Sequence, residues 1–397
     1  MRRIPVSMLR PGDRLGQALR NDRGDILVQP GVPLTPEMIT SIRRRGFYAV
    51  YVRDGIADDV IPEDVISDRV RAVTVRHISE LFSLSAQEKS NSRSRTSGIE
   101  LARARKTQRL LEAVRQDVDL ILNEVLDHDI LTGITALKSY DDYTFHHSVD
   151  VAVIAILLGR SLRLRPDELR QLALGALLHD IGKMFIPAEI LNKPGPLTSE
   201  EMRTMQQHTE LGFRYLAEGS IGDYVANHVA FQHHERQDGG GYPRGLHGAN
   251  RLRRDEHDRF DRTRIHPLAE IAAVADVYSA LSSDRPYRPA MTPEAIRATI
   301  RQMAGRHLNE EVVTSFFATV PLFPVGAPVR ITGGRYDGYT GVVVENRPGR
   351  LDRPVVRLTL DPRGQLLEPE EFATHTDPDC MLTTPPPAPA PPLAAAG

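Results

Sequence analysis

Apolar residues return at helical spacing through most of this chain. Val65, Ile66, Val70, Val73, Ile78 and Leu81 predict a helix over 62–84, and Leu110, Leu111, Val114, Val118, Ile121 and Val125 predict another over 99–126. From 130 to 322 the pattern is almost wholly helical, broken by loops at 192–198 and 236–265. The two ends differ. Turn signals at Pro11-Gly12-Asp13 and Asp22-Arg23-Gly24 separate short strand-like runs. Thr35 is placed to cap a helix that starts at Pro36-Glu37 and stops at Gly46, and 48–52 reads as a closing strand. At 325–362, β-branched runs alternate with Gly-rich turns, which predicts three short strands. Ser, Lys and Arg dominate 85–97, a stretch too poor in apolar residues to pack, so it reads as a flexible linker.

The fold class that follows is multidomain. A small α/β module at 1–55 precedes a helical linker or signalling region at 56–129. An all-α helical domain at 130–324 follows, then a small β-rich module at 325–378 and a disordered Pro/Ala tail at 379–397. At roughly 100–200 residues per domain, 397 residues hold two to three. The net charge of -2, from 50 basic and 52 acidic residues, gives no reason to expect a nucleic-acid polymer as partner. Cys380 is the one cysteine, which excludes an internal disulfide and Cys-type zinc sites. No apolar run follows the basic N-terminus. The most apolar stretch, 149–159, is too short to span a bilayer and contains Asp150, so no membrane span and a cytoplasmic location are expected.

The chemistry sits in the helical domain. Five separate segments place His or Asp among apolar residues: His146-His147, His179-Asp180, His208, His233-His234 and Asp276. A lone histidine in such a setting is more often a hydrogen-bonded core residue than a ligand. Asp180 and Asp276 are different, because a buried carboxylate without a cation or several donors is very costly. Two such carboxylates with several histidines are satisfied together by a metal cluster. Imidazole with carboxylate suits Fe, Mn, Zn or Ni. Two metals about 3.5–4 Å apart can hold a bridging hydroxide as nucleophile and clamp a phosphoryl centre. Lys183 follows Asp180 by three positions, in a chain with five lysines against 45 arginines, and offers a positive charge to a phosphate oxygen. Arg285 and Arg288 could offer a second anion-binding patch, although taken alone surface solvation is the better account of them.

These residues resemble a known family. His179-Asp180-Ile181-Gly182-Lys183 resembles the "HDIGK" signature of HD phosphohydrolases. His233-His234-Glu235, with Asp238-Gly239-Gly240-Gly241-Tyr242-Pro243, resembles the "HHE…DGxGYP" signature of the HD-GYP subgroup. Val274-Ala275-Asp276-Val277-Tyr278 with Arg285-Pro286-Tyr287-Arg288 resembles its closing segment. The likeness covers about half the chain.

The resemblance implies an all-α HD-type catalytic domain, a metal centre, often iron, and hydrolysis of cyclic di-GMP to pGpG or GMP. It implies one metal held by His147, His179, Asp180 and Asp276. A second would be held by His208, His233 and His234, with Asp180 bridging. Asp180 and Lys183 would be catalytic. Lys183, Arg285 and Arg288 would hold phosphates, and Gly241, Tyr242 and Pro243 would shape the pocket mouth. Tyr143 stands where members with a third metal carry glutamate, so a dinuclear centre, of Fe or alternatively Mn or another divalent transition metal, is expected. Ser279 stands where the family has aspartate. A protein partner at the Gly-Tyr-Pro loop or at a charged insertion, 249–264, and a homodimer through the 99–126 helix are further expectations. A regulator that binds a cyclic dinucleotide without cleaving it, or a hydrolase for another cyclic dinucleotide, are the alternatives.

Overall fold

The computed structural model describes residues 1–20, 26–45, 47, 49–90, 97–127, 143–218, 223–252, 263–283 and 290–386. They divide into two compact units. One comprises Glu63–Leu322 with Arg20–Ile26, and the other comprises Met1–Leu19, Leu27–Pro62 and Phe323–Gly397.

In the second of these, the N-terminal segment and the C-terminal strands build one body. Strand Ala49–Arg53 is flanked by Arg2–Pro5 and Arg14–Leu15, both antiparallel to it. Helix α1 (Pro36–Arg44) packs against the 3-10 turn Val6–Met8, and the Thr35 hydroxyl accepts from Met38 N at 3.2 Å as expected of an N-cap. Its expected stop, Gly46, lies outside the described residues. Five antiparallel strands follow, in the spatial order Met381–Thr383, Pro328–Thr332, Thr340–Glu345, Val355–Leu360, Leu366–Ala373. Ala57 and Val60 share a buried cluster with Val342. The Arg357 guanidinium spans Asp59 and Glu371, and its effect holds the Asp59 carboxyl down to about 2.

The three strands expected over 325–362 are found, and two more lie beyond them, Leu366–Ala373 and Met381–Thr383. The Glu-rich segment 366–373 was passed over because its pattern shows little alternation. Met381–Thr383 falls in the stretch expected to be disordered from 379, yet it pairs with Pro328–Thr332; 387–397 lie outside the described residues.

The helical unit is the larger. Helix α2 (Asp68–Ser90) and α3 (Ser97–Asp127) pack together and against α4 (Tyr143–Ser161). The first continues through 85–90, so the expected linker is helical there, and 91–96 lie outside the described residues. Val149 and 151–158 of α4 are buried on every side, as befits a helix apolar all round. The one charge within that buried run, Asp150, meets the Arg71 guanidinium of α2 at 2.7 Å, and Arg71 reaches Asp64 at 3.0 Å.

The chain continues through α5 (Pro166–Leu177), a 3-10 turn over Ile181–Phe185, α6 (Ala188–Leu191), α7 (Ser199–Gln206), α8 (His208–Glu218), α9 (Tyr224–Gln232) and α10 (Pro267–Ser282). It ends in α11 (Pro293–Met303) and α12 (Glu310–Thr319). Local signals set these starts. Thr198 and Glu201 form a capping box at α7, and Asp223 accepts from Val225 N and Ala226 N at α9. No helix among the described residues is long and apolar enough to cross a membrane.

Candidate metal centre

The residues singled out from sequence converge between α4, α5, α8, α9 and α10. His147 lies one turn into α4. His179 and Asp180 form the turn that ends α5, His208 opens α8, His233 and His234 close α9, and Asp276 lies in the second half of α10. Asp180, His208, His233 and His234 each offer an atom to one group, and His147, His179 and Asp276 to a second. Within each group these atoms lie within 4.8 Å of one another.

Glycine makes the convergence possible. A Cβ on Gly182 would lie 1.9 Å from His208 O, so the turn bearing Asp180 reaches the start of α8 only because that position has no side chain.

Asp180 joins the two groups. Its Oδ2 lies 3.2 Å from His179 Nε2 and 2.6 Å from Lys183 Nζ. Its Oδ1 faces His208 Nε2 at 3.5 Å and His233 Nε2 at 3.9 Å. On the other side, Asp276 Oδ1 is 3.0 Å from His147 Nε2 and 4.0 Å from His179 Nε2.

Ring orientation is set from behind. His179 Nδ1 lies 2.7 Å from Ala176 O, His208 Nδ1 lies 2.8 Å from Met205 O, and His233 Nδ1 lies 3.0 Å from Ala230 O. A carbonyl only accepts, so each Nδ1 carries the proton and each Nε2 presents a lone pair inward. The Nε2 atoms of His208 and His233 then face each other at 3.5 Å. Two lone pairs at that distance repel unless a cation lies between them. His179 Nε2 and Asp180 Oδ1 are buried with no hydrogen-bond partner. Buried polar atoms are rarely left so, and two in one centre of imidazoles and carboxylates fit metal ions.

The electrostatics agree. Burial depresses His147 to about 4 and His234 to about 3, and it holds His233 well below its ordinary value, so these rings are neutral near pH 7. Burial works against the Asp180 carboxylate. His179, Lys183 and His208 outweigh it and keep the group ionised well below the usual range. Burial lowers His179, and the Asp180 and Asp276 carboxylates outweigh it and raise the ring above its ordinary value.

The Gly-Tyr-Pro loop lies against the group that contains His208 and His234. The Tyr242 ring is 4.8 Å from His234 and 6.3 Å from His208, and Tyr242 N donates to His234 O. A Cβ on Gly241 would lie 2.5 Å from Arg236 N and His234 O, so the loop folds back tightly on its own start. The buried Glu235 carboxylate accepts from Arg244 N and Leu246 N, both at 2.8 Å, and fixes the far side of the loop. Glu235 belongs to the His-His-Glu motif, but its role is not legible from the sequence. Its burial among loop amides has no signature in the local pattern. Ser279, likewise, has its hydroxyl 2.9 Å from His147 Nδ1. Arg285 and Arg288 lie outside the described residues, as do 253–262 of the charged insertion. The insertion's near flank is held by Asn250, whose amide donates to Gly305 O and whose carbonyl accepts from Glu310 N.

His146 and His147 are neighbours on α4, and successive helical residues point about 100° apart. His147→Ala is expected to lose metal from the group it shares with His179 and Asp276, whereas His146→Ala keeps wild-type content by elemental analysis. Equal losses in the two variants would show the wrong histidine to have been chosen.

Residues 132–250 match the family model described as HD domain. The chain is 37% identical over 257 residues to Cyclic di-GMP phosphodiesterase PA4108 of Pseudomonas aeruginosa, covering 64% of this chain and 57% of that protein. It is 40% identical over 163 residues to Cyclic di-GMP phosphodiesterase response regulator RpfG of Xanthomonas campestris pv. campestris, covering 40% of this chain and 39% of that one. It is 38% identical over 172 residues to 3'3'-cGAMP-specific phosphodiesterase 1 of Vibrio cholerae, covering 43% and 36%. The matches thus span between about a third and three fifths of these relatives. Among solved structures, Bd1817, a HDG"Y"P protein from Bdellovibrio bacteriovorus, aligns at 16% identity with a TM-score of 0.40, covering 79% of this chain and 97% of that one.

Proposed function

We propose that the chain, whose residues 132–250 match the HD domain model, is a metal-dependent phosphodiesterase that hydrolyses cyclic di-GMP to pGpG, to GMP or to both. The observation that carries the reading is Asp180, whose two oxygens face separate groups of imidazoles, 3.2 Å from His179 on one side and 3.5 Å from His208 on the other. We assign His147, His179, Asp180 and Asp276 to one metal, and His208, His233, His234 and Asp180 to the other, with iron or manganese suited to such donors. Bound metals would supply Lewis-acid activation of water and of the phosphodiester.

The protein's own residues do the rest. The carbonyl-anchored rings of His179, His208 and His233 hold their inward lone pairs without reorganising. Lys183, part-exposed beside Asp180, presents its ammonium to a non-bridging phosphate oxygen. Arg285 and Arg288 are assigned to the second phosphate of the dinucleotide. Tyr242, flanked by Gly241 and Pro243, closes the centre against His234 and shapes the mouth.

A second substrate has a specific observation behind it, since one relative is named a 3'3'-cGAMP-specific phosphodiesterase. Protein purified without oxygen, with metal quantified in the same sample, should be assayed against both dinucleotides. Faster turnover of cyclic di-GMP with about two metals per chain is the expected result. Preference for 3'3'-cGAMP replaces the substrate but keeps the chemistry. Metal-loaded protein that binds and does not cleave makes the chain a sensor and overturns the hydrolase reading.

A further inference from the structure

We propose that Ser279 is a positioning residue for His147, and that it sets the affinity of one half of the metal centre without touching the other. The inference rests on the metal assignment above. Its basis is an asymmetry among the histidines. Three of them, His179, His208 and His233, turn Nδ1 to a backbone carbonyl of their own local segment. Those anchors form as soon as the local turn forms, and they accept only. The Nδ1 of His147 instead lies 2.9 Å from the Ser279 hydroxyl, 132 positions away in sequence and on a different helix.

This anchor differs in two ways. It exists only when α4 and α10 are packed, and a hydroxyl can donate as well as accept, so by itself it does not dictate which ring nitrogen holds the proton. Ser279 lies three positions after Asp276 on α10, close to one helical turn. The same face of α10 therefore supplies both the carboxylate 3.0 Å from His147 Nε2 and the hydroxyl behind His147 Nδ1. The imidazole is held between them at its two nitrogens. Ser279 is 1% exposed and His147 3%, so the link is sheltered from solvent competition.

With the hydroxyl gone, the ring loses its hydrogen bond to α10 at Nδ1, and its Nε2 is held less firmly toward the group it shares with His179 and Asp276. In the other group, His208 and His233 keep their carbonyl anchors. Outer hydrogen-bond partners of ligating histidines typically matter by roughly 10–100-fold in metal affinity. The expected result is therefore a split. Ser279→Ala should bind one metal as wild type does and the other roughly 10–100-fold more weakly.

The test is a Mn²⁺ titration of chelator-stripped, full-length protein, read as stoichiometry and as two affinities, with no activity measurement needed. Ser279→Thr, which keeps the hydroxyl, should restore the weaker affinity, and Ser279→Cys, near in size but a poor acceptor, should behave as alanine does. If Ser279→Ala fails to fold, judged by its circular-dichroism melt, the serine-to-cysteine comparison decides alone. Wild-type affinity at both sites in the alanine or cysteine variant overturns the proposal, and so does equal weakening at both. Wild-type protein that takes up no Mn²⁺ overturns the metal assignment itself, and that failure is visible before any variant is made.

Discussion

Asp180→Ala is expected to empty both halves of the metal centre at once and to lower cyclic di-GMP turnover by several orders of magnitude. The reason is geometric. Asp180 Oδ2 meets His179 and Lys183, while Oδ1 meets His208 and His233, so one side chain serves both groups. It is also 2% exposed and strongly ionised, which makes it the main negative charge available to two cations in a dry site. Removing it leaves inward-facing histidine lone pairs with little to balance a metal's charge. Without the metals, water is far too weak an acid to supply a hydroxide nucleophile at neutral pH. Asp276→Ala is the control, since Asp276 Oδ1 approaches His147 and His179 and lies in the second group only. That variant should keep about one metal per chain, given two in the wild type. Elemental analysis with initial rates checks both variants. Retained turnover in Asp180→Ala would falsify the bridging assignment, and loss of both metals in Asp276→Ala would mean the halves are not independent.

What the chain revealed before folding follows a physical line. Asp180 and Asp276 were legible because each interrupts an apolar run, and a carboxylate in such a run must have a partner. The histidines were legible mainly through the motifs around them, since a single imidazole near apolar residues predicts little. The long helices were legible from periodicity, including those that carry His147 and Asp276. Less visible was anything fixed by tertiary contact. The bond from Ser279 to His147 needs α4 and α10 side by side, and no local pattern announces it. No local pattern marks Glu235 as buried, yet it is, because the Gly-Tyr-Pro loop brings two amides onto its carboxylate. The polar stretch from 85 onward was read as linker because it lacks apolar residues, although helix propensity and continuation of α2 carry the helix to Ser90. The N-terminal module and the C-terminal strands share one body because Ala57 and Val60 find Val342, a pairing across nearly the whole sequence.

Arg71→Met is expected to destabilise the helical unit by about 3–5 kcal/mol, more than any single surface change. Asp150 is the one charge in the buried run of α4, 1% exposed, and it lies three positions after His147. The Arg71 guanidinium, itself 7% exposed, reaches it at 2.7 Å from α2 and turns its other nitrogen to Asp64 at 3.0 Å. Methionine keeps much of the side-chain volume but removes the cation, so two carboxylates lose their shared counter-charge, one of them deep in the core. The cost comes from the anion left behind, because an ion pair formed in the interior gains little over a well-packed apolar pair. That distinction supplies the test. In the double variant Arg71→Met with Asp150→Leu, most of the lost stability should return. At roughly 2–4 °C per kcal/mol for a unit of this size, the single variant should lower the calorimetric midpoint by about 6–20 °C. A fall of less than about 3 °C would mean that water or another group neutralises Asp150, and that α2 is not held to α4 by charge. A single-variant fall that the second substitution does not reverse would instead place the loss in packing around the Arg71 stem.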